Sequence, residues 1–187
     1  MNAKKSIKVA FWDLLQELPL DQITVIMLCE RANVNRQSFY YYYQNIVDLL
    51  KDVLFAEIYD EVSQGRAYDT WKYGFYTTTR FINENHFIFQ NIQHSNYWEE
   101  INNFFTENSN SLVKGVIDEC IEATGIRVSK EDKDFMIHYY RVLFNSIMTE
   151  WVKDGMKLKP IELLSKVEKL VDGTICPALQ RFSEEEN

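Results

Sequence analysis

Residues Thr24–Leu50 read TVIMLCERANVNRQSFYYYYQNIVDLL. Thr24 is a good N-cap, and the spacing of Val25, Leu28 and Cys29 predicts a short helix to about Ala32. Asn33-Val34 then make a turn, because asparagine tolerates the left-handed backbone that most residues avoid. Asn35 caps a second short helix and leaves Arg36, Gln37 and Ser38 in its first exposed turn. Phe39 is expected to point inward. Tyr40, Tyr41 and Tyr42 cannot all follow it, since three consecutive residues sweep about 200° of a helix at 3.6 residues per turn. The outline is a helix-turn-helix whose second helix enters a DNA groove. Arginine can bond guanine bidentately, glutamine can do the same to adenine, and an outward tyrosine hydroxyl suits a phosphate oxygen. The plainer reading of RQSFYYYY alone is a short amphipathic helix with snorkelling tyrosines.

Working outward, Ile7, Ala10/Phe11, Leu14/Leu15 and Leu18 recur at helical spacing over residues 3–18, and Pro19 ends that helix. After the quoted stretch, Asn45 with Asp48 resembles a capping arrangement for a long helix. Ile46, Leu49/Leu50 and Val53/Leu54 supply its buried stripe, and it is expected to run to about Gln64 with Gly65 as its stop. Further helices are expected over about 69–83, 84–93, 98–123 and 130–154, and from Pro160 through Ile175. Thr124-Gly125 closes the third of these, and Ser129 caps the fourth. The expected fold is all-α, with about nine helices in total. Residues 1–50 form a helix-turn-helix domain of three helices, and residues 51–187 a helical ligand-binding and dimerisation domain.

Composition supports a packed helical protein. Of 187 residues 46% are hydrophobic, while only six are Gly and three Pro. The net charge of −8 argues at first against a polyanionic partner. Its distribution permits DNA binding without demonstrating it, and is equally compatible with an ordinary acidic soluble protein. Within residues 1–50, Lys4, Lys5, Lys8, Arg31 and Arg36 balance Asp13, Glu17, Asp21, Glu30 and Asp48, so all the excess negative charge lies beyond the candidate reader.

The three cysteines, Cys29, Cys120 and Cys176, are far apart and in no CxxC arrangement, which suits free, mostly buried thiols in a reducing compartment. No apolar h-region follows Lys4 and Lys5, and no run approaches 18 apolar residues. A cytoplasmic protein with neither signal peptide nor membrane span is expected. His86 and His94 have no partner at a metal-ligand spacing, so neither a metal nor another cofactor is expected. Paired carboxylates at plausible spacing, a nucleophile motif and a phosphate loop are all missing, which speaks against an enzyme.

From Tyr68 to Tyr97, with Trp98 next, the chain is strongly aromatic. Trp71, Phe75 and Phe89, joined by Tyr140, are the candidates to line a cavity for a small-molecule effector. The alternative is plain core, the usual role of aromatics at helical spacing. Helix 130–154 carries two apolar stripes, one of Phe135, Tyr139, Val142/Leu143, Ile147 and Trp151, the other of Met136, Tyr140, Phe144 and Met148. A helix apolar on two sides needs a second surface, either a symmetric partner forming a four-helix interface or burial within the one chain. Tyr139, Leu143, Ile147, Trp151, Leu164 and Val171 are the candidates for a homodimer interface.

At this point the chain resembles the TetR family of bacterial transcriptional regulators. The likeness rests on Ile23-Thr24-Val25, Ala32-Asn33-Val34 and Arg36-Gln37-Ser38-Phe39-Tyr40-Tyr41-Tyr42-Tyr43, and covers about residues 5–55. Asn35 to Tyr41, Asn45 to Leu49, Ser129 to Asp132 and Trp151 to Met156 further resemble the branch that includes activators of dihydroxyacetone kinase operons. The resemblance implies an all-helical homodimer, with an effector pocket in the C-terminal domain and pairing through the last two helices. By position, it also implies that Thr24 and Tyr40 contact phosphate while Arg36, Gln37, Ser38 and Tyr41 face the groove. Tyr42 stands where the family often has a phosphate-binding His. Two residues depart from the pattern. Ile46 replaces the usual Lys, removing a phosphate contact and about 0.9 of the salt-dependence slope, and Asn33 replaces a common turn glycine.

The expected function is therefore a DNA-binding transcriptional regulator, a homodimer reading a near-palindromic double-stranded operator under control of a small-molecule effector. The alternative is a co-regulator of the same fold that acts through protein-protein contacts.

Overall fold

The computed structural model describes residues 2–62 and 71–184. Among these residues are ten α-helices and a single 3-10 turn, joined by short loops, and no strand. The helices are α1 (Ala3–Glu17), α2 (Val25–Ala32), α3 (Arg36–Tyr42), α4 (Ile46–Val62), α5 (Trp71–Glu84), α6 (His86–Gln93), α7 (Trp98–Thr124), α8 (Lys130–Lys153), α9 (Pro160–Val171) and α10 (Ile175–Glu184), with the 3-10 turn at Leu20–Gln22 between α1 and α2. The expected stop of α4 at Gly65 and the expected start of α5 at residue 69 lie outside the described residues.

The expected caps are in place. Thr24 Oγ1 accepts from Met27 N at 3.2 Å, Asn35 Oδ1 from Ser38 N at 2.8 Å, and Ser129 Oγ from Asp132 N at 3.0 Å. Each satisfies a backbone donor that the first turn leaves open. Asn33 adopts the left-handed conformation, φ 52° and ψ 50°, and ends α2 with its N–H on the Cys29 and Glu30 carbonyls. Asn45 Oδ1 accepts from Asp48 N at 2.8 Å, while the Asp48 carboxylate reaches back to Gln44 N at 3.0 Å.

The first three helices close around Ile7, Phe11, Leu15, Leu28 and Phe39, and α4 adds Leu49, Leu50 and Leu54. Beyond them, α5 packs on α4 and α9, and α7 packs on α8 and α10. The last expected helix is in fact two. Gly173 takes φ +70° between α9 and α10, and Asp172 is extended at ψ 130°, so the chain turns where the apolar spacing of Val171 and Ile175 suggested continuity. That break is why there is one helix more than the nine expected.

The cysteine expectation is corrected. Cys29 is free and buried, but Cys120 of α7 and Cys176 of α10 form a disulfide across a sequence separation of 56, with their Cα atoms 5.9 Å apart. Only the packing of α10 against α7 brings those positions together.

Candidate nucleic-acid interface

The turn between α2 and α3 presents α3 outward by its own geometry. Asn35 holds the first turn open-side out, and its Oδ1 also accepts from the Ser38 hydroxyl at 3.0 Å. Phe39 is fully buried and anchors the helix. Its neighbours diverge as the helical sweep demands: Tyr40 is 59% exposed, Tyr41 81%, Tyr42 is half-buried edge-on to Tyr41 at 4.8 Å, and Tyr43 is buried. Arg36 and Gln37 are exposed beside them. The structure thus gathers Asn35, Arg36, Gln37, Tyr40 and Tyr41 on one outward surface. Thr24 stands at the start of α2, exposed but already accepting a cap hydrogen bond.

Charge around this surface is sparser than five basic residues suggest. Arg31 makes a two-pronged pair with Glu17, 2.8 and 2.7 Å; the hydrogen bond from Arg31 holds the Glu17 carboxyl below its ordinary range. Lys4 and Lys8 both reach Asp52, at 3.1 and 3.0 Å. Arg36 and Lys5 are the reader's two cations that enter no ion pair among the described residues. Burial pushes the Cys29 thiol up, and the Arg36 charge offsets part of this. The single cation of the reading helix, Arg36, is thus without an ion pair among the described residues.

Two features escaped the sequence reading. Tyr43 donates its hydroxyl to Asp52 Oδ2 at 2.8 Å, and Lys4 lies over its ring at 5.7 Å, so the end of α3 is pinned to α4 and α1. Burial first and the Asp52 bond second push the Tyr43 phenol up. Asn91 of α6 is the other. Its Oδ1 accepts from Leu20 N at 2.7 Å, and its Nδ2 faces the Leu15 and Leu18 carbonyls at 3.1 and 2.7 Å. One side chain of α6 thereby closes the end of α1. An asparagine inside the apolar run HFIFQNIQ was the available signal. Beside it, Asp21 accepts from the backbone and side chain of Asn96.

The four effector candidates do not converge. Trp71 and Phe75 meet Phe144, with ring centroids 5.6 and 6.0 Å apart. Phe89 instead pairs with Phe81 at 6.0 Å, which faces Trp12 of α1. Tyr140 is buried, its hydroxyl 3.1 Å from that of Thr174. A groove of about 360 Å³ between α1, α4 and α5 is lined by Trp12, Val53 and Phe81 and holds none of the four.

Of the interface candidates, Tyr139 is 55% exposed, and Leu143, Ile147 and Leu164 are half-buried. Trp151 and Val171 offer no surface: both are buried in the chain's own core, and Trp151 Nε1 donates to the Leu158 carbonyl at 2.9 Å. Among the described residues no group of three or more His, Cys, Asp or Glu is placed to hold a metal, and no helix is long and apolar enough to cross a membrane.

Comparison with known proteins places these features in a family. Residues 69–173 match the family TetR_C_8, Transcriptional regulator C-terminal region. A curated relative, the HTH-type dhaKLM operon transcriptional activator DhaS of Lactococcus lactis subsp. lactis, is 27% identical over 177 residues, covering 91% of this chain and 92% of its own. The solved structure of a dihydroxyacetone kinase operon activator DhaS superposes with TM-score 0.71 at 24% identity over 96% of this chain and 97% of that one. That of the fatty acid degradation regulator FadR from Bacillus halodurans gives 0.65 at 16% identity, covering 93% and 96%. Both structures share the all-helical fold.

Proposed function

The chain belongs to the TetR-type transcriptional regulators, and from that premise we propose that it binds a double-stranded DNA operator through α3 as a homodimer. Arg36 and Gln37 read base edges, Ser38 and Tyr41 line the same groove face, and Thr24, Asn35, Tyr40 and Tyr42 approach phosphates. The observation that carries this is the exposure of Arg36, without an ion pair among the described residues, beside Gln37 and Tyr41 on a helix pinned behind by Phe39 and Tyr43. A C2 dimer places two such helices about 34–36 Å apart, one turn of B-DNA, which calls for a near-palindromic site. Pairing through α8 and α9 is supported by their exposed apolar residues Phe135, Tyr139, Val142, Ile161 and Leu170. The helices beyond α4 supply control by a small-molecule effector.

Selection of binding sites from random DNA with the purified protein tests the reading, and a palindromic consensus is the expected result. Arg36→Ala and Gln37→Ala are each expected to weaken binding to that consensus by about 1–3 kcal/mol while the dimer stays folded. Unchanged affinity in a gel-shift titration removes those residues from the reading surface.

A second reading, a co-regulator acting through protein contacts, is favoured by one observation. Ile46 replaces a cation, and Lys4, Lys8 and Arg31 spend their charge on Asp52 and Glu17. A salt titration separates the two, since a co-regulator shows no specific-over-nonspecific ratio even at low salt.

A further inference from the structure

Facing turns of α7 and α8 are joined by a seam of polar side chains. Thr149 Oγ1 donates to Asn102 Oδ1 at 2.8 Å, and Asn145 Nδ2 donates to Thr106 Oγ1 at 2.6 Å. One turn further along α8 on the same face comes Arg141. Its Nη2 donates to His138 Nδ1 at 2.8 Å, which makes that ring nitrogen the unprotonated acceptor. Its Nε is buried and meets no acceptor among the described residues, nor does the guanidinium enter any ion pair there. The seam is thus satisfied at Asn102, Thr106, Asn145 and Thr149 and open at Arg141.

An arginine stays charged at any physiological pH, and a buried cationic donor without an acceptor is unfavourable. The Nε edge of a guanidinium is the geometry that grips a carboxylate or phosphate with two parallel hydrogen bonds. Next to it, at i+3 on α8, Phe144 meets Trp71 and Phe75 of α5. One stretch of α8 therefore offers a cationic fork with an unused donor, two neutral hydrogen-bonding side chains and an aromatic wall.

We propose that Arg141 anchors the effector, and that the effector is a small molecule with one anionic group, carboxylate or phosphate, on an apolar or planar body. The anion takes the Nε edge of Arg141, and the body lies toward Phe144, Trp71 and Phe75. This rests on the effector-controlled reading above, and names the chemistry of its ligand. Neither Arg141 nor Phe144 was among the sequence-derived candidates.

The test is thermal unfolding of the full chain, without DNA, at constant ionic strength, with benzoate, phenyl phosphate or the neutral benzamide. Wild type is expected to rise in Tm by about 2 °C or more with an anion, the shift that follows when ligand reaches several times its Kd. Benzamide is expected to leave Tm unchanged. Arg141→Met is expected to lose the response, and to melt higher than wild type without ligand because the unpaired donor is gone. Arg141→Lys keeps the charge without the fork, and its response is expected to need about tenfold more anion. Arg181→Met, an exposed arginine on α10, is expected to respond as wild type. No anion-dependent rise in wild type, or an equal rise in Arg141→Met, overturns the assignment. Benzoate and phenyl phosphate responding differently identifies which anion is preferred and supports it. These readouts do not involve operator binding, so failure of the DNA-reading helix leaves them intact.

Discussion

Asp52 shows how single groups decide where the reader's charge goes. Burial raises its carboxyl, but hydrogen bonds from Lys8, Tyr43 and Lys4 outweigh that and hold it below the ordinary 3.8. A carboxylate with a depressed folded value stabilises the fold above its unfolded value, and that contribution disappears as pH falls through the lowered one. The side chain is 34% exposed, so solvent screening limits the contribution to about 1 kcal/mol. Asp52→Asn is accordingly expected to melt about 2–4 °C lower than wild type at pH 7. The gap is expected to close as pH falls below 3.8. Melting curves across pH 7 to 2.5 check both the size and the sign. The same residue-scale logic explains why only Arg36 and Lys5 of the reader's five cations stay outside ion pairs among the described residues: Asp52 and Glu17 have absorbed the other three.

At the scale of elements, the joints matter more than the helices. The α2–α3 turn works because Asn33 accepts a left-handed backbone and Asn35 a cap, both local properties. The joint between α1 and α6 is not local. Asn91 satisfies the Leu20 N–H and the Leu15 and Leu18 carbonyls, closing the end of α1 from 71 residues away or more. Asn91→Leu removes all three bonds at once and leaves part-buried backbone groups unpaired. A loss of about 2–3 kcal/mol is expected in urea unfolding. Asn91→Asp retains the acceptor for Leu20 but turns an oxygen toward two carbonyls, so it is expected to be at least as costly. A midpoint shift under about 0.3 M urea for either variant contradicts the joint, given slopes of roughly 1–3 kcal/mol/M.

For the molecule as a whole, the proposal of a homodimer is an argument about unpartnered surface. Half of the two-sided α8 is absorbed internally by Met136, Ile137, Tyr140 and Trp151, whereas Phe135, Tyr139 and Val142 remain exposed on one face of it, and Ile161 and Leu170 are exposed on α9. Exposed apolar residues gathered on one face of a helix, as Phe135, Tyr139 and Val142 are, mark a protein interface. Tyr139→Glu puts a charge into that surface twice in a symmetric dimer. Light scattering is expected to show the wild type as a dimer and this variant as a monomer at micromolar concentration, with helical content unchanged. A dimeric Tyr139→Glu moves the interface elsewhere.

The sequence by itself determined most of the features that depend on neighbours within about two turns. The helix-turn-helix, its caps at Thr24 and Asn35, the inward Phe39 and the outward Tyr40 and Tyr41 follow from spacing and backbone preference. The break at Gly173 was legible in principle, but the apolar spacing across it was the stronger local signal. Tertiary structure alone decided what distant segments do to one another. It joined Cys120 to Cys176, turned Trp151 and Val171 into core, separated Phe89 from Trp71 and Phe75, and set Phe144 against those two rings. It also left the Arg141 Nε without an acceptor among the described residues. The reason is physical: helical periodicity says which face of a helix is apolar, but which partner covers that face is settled only when helices pack.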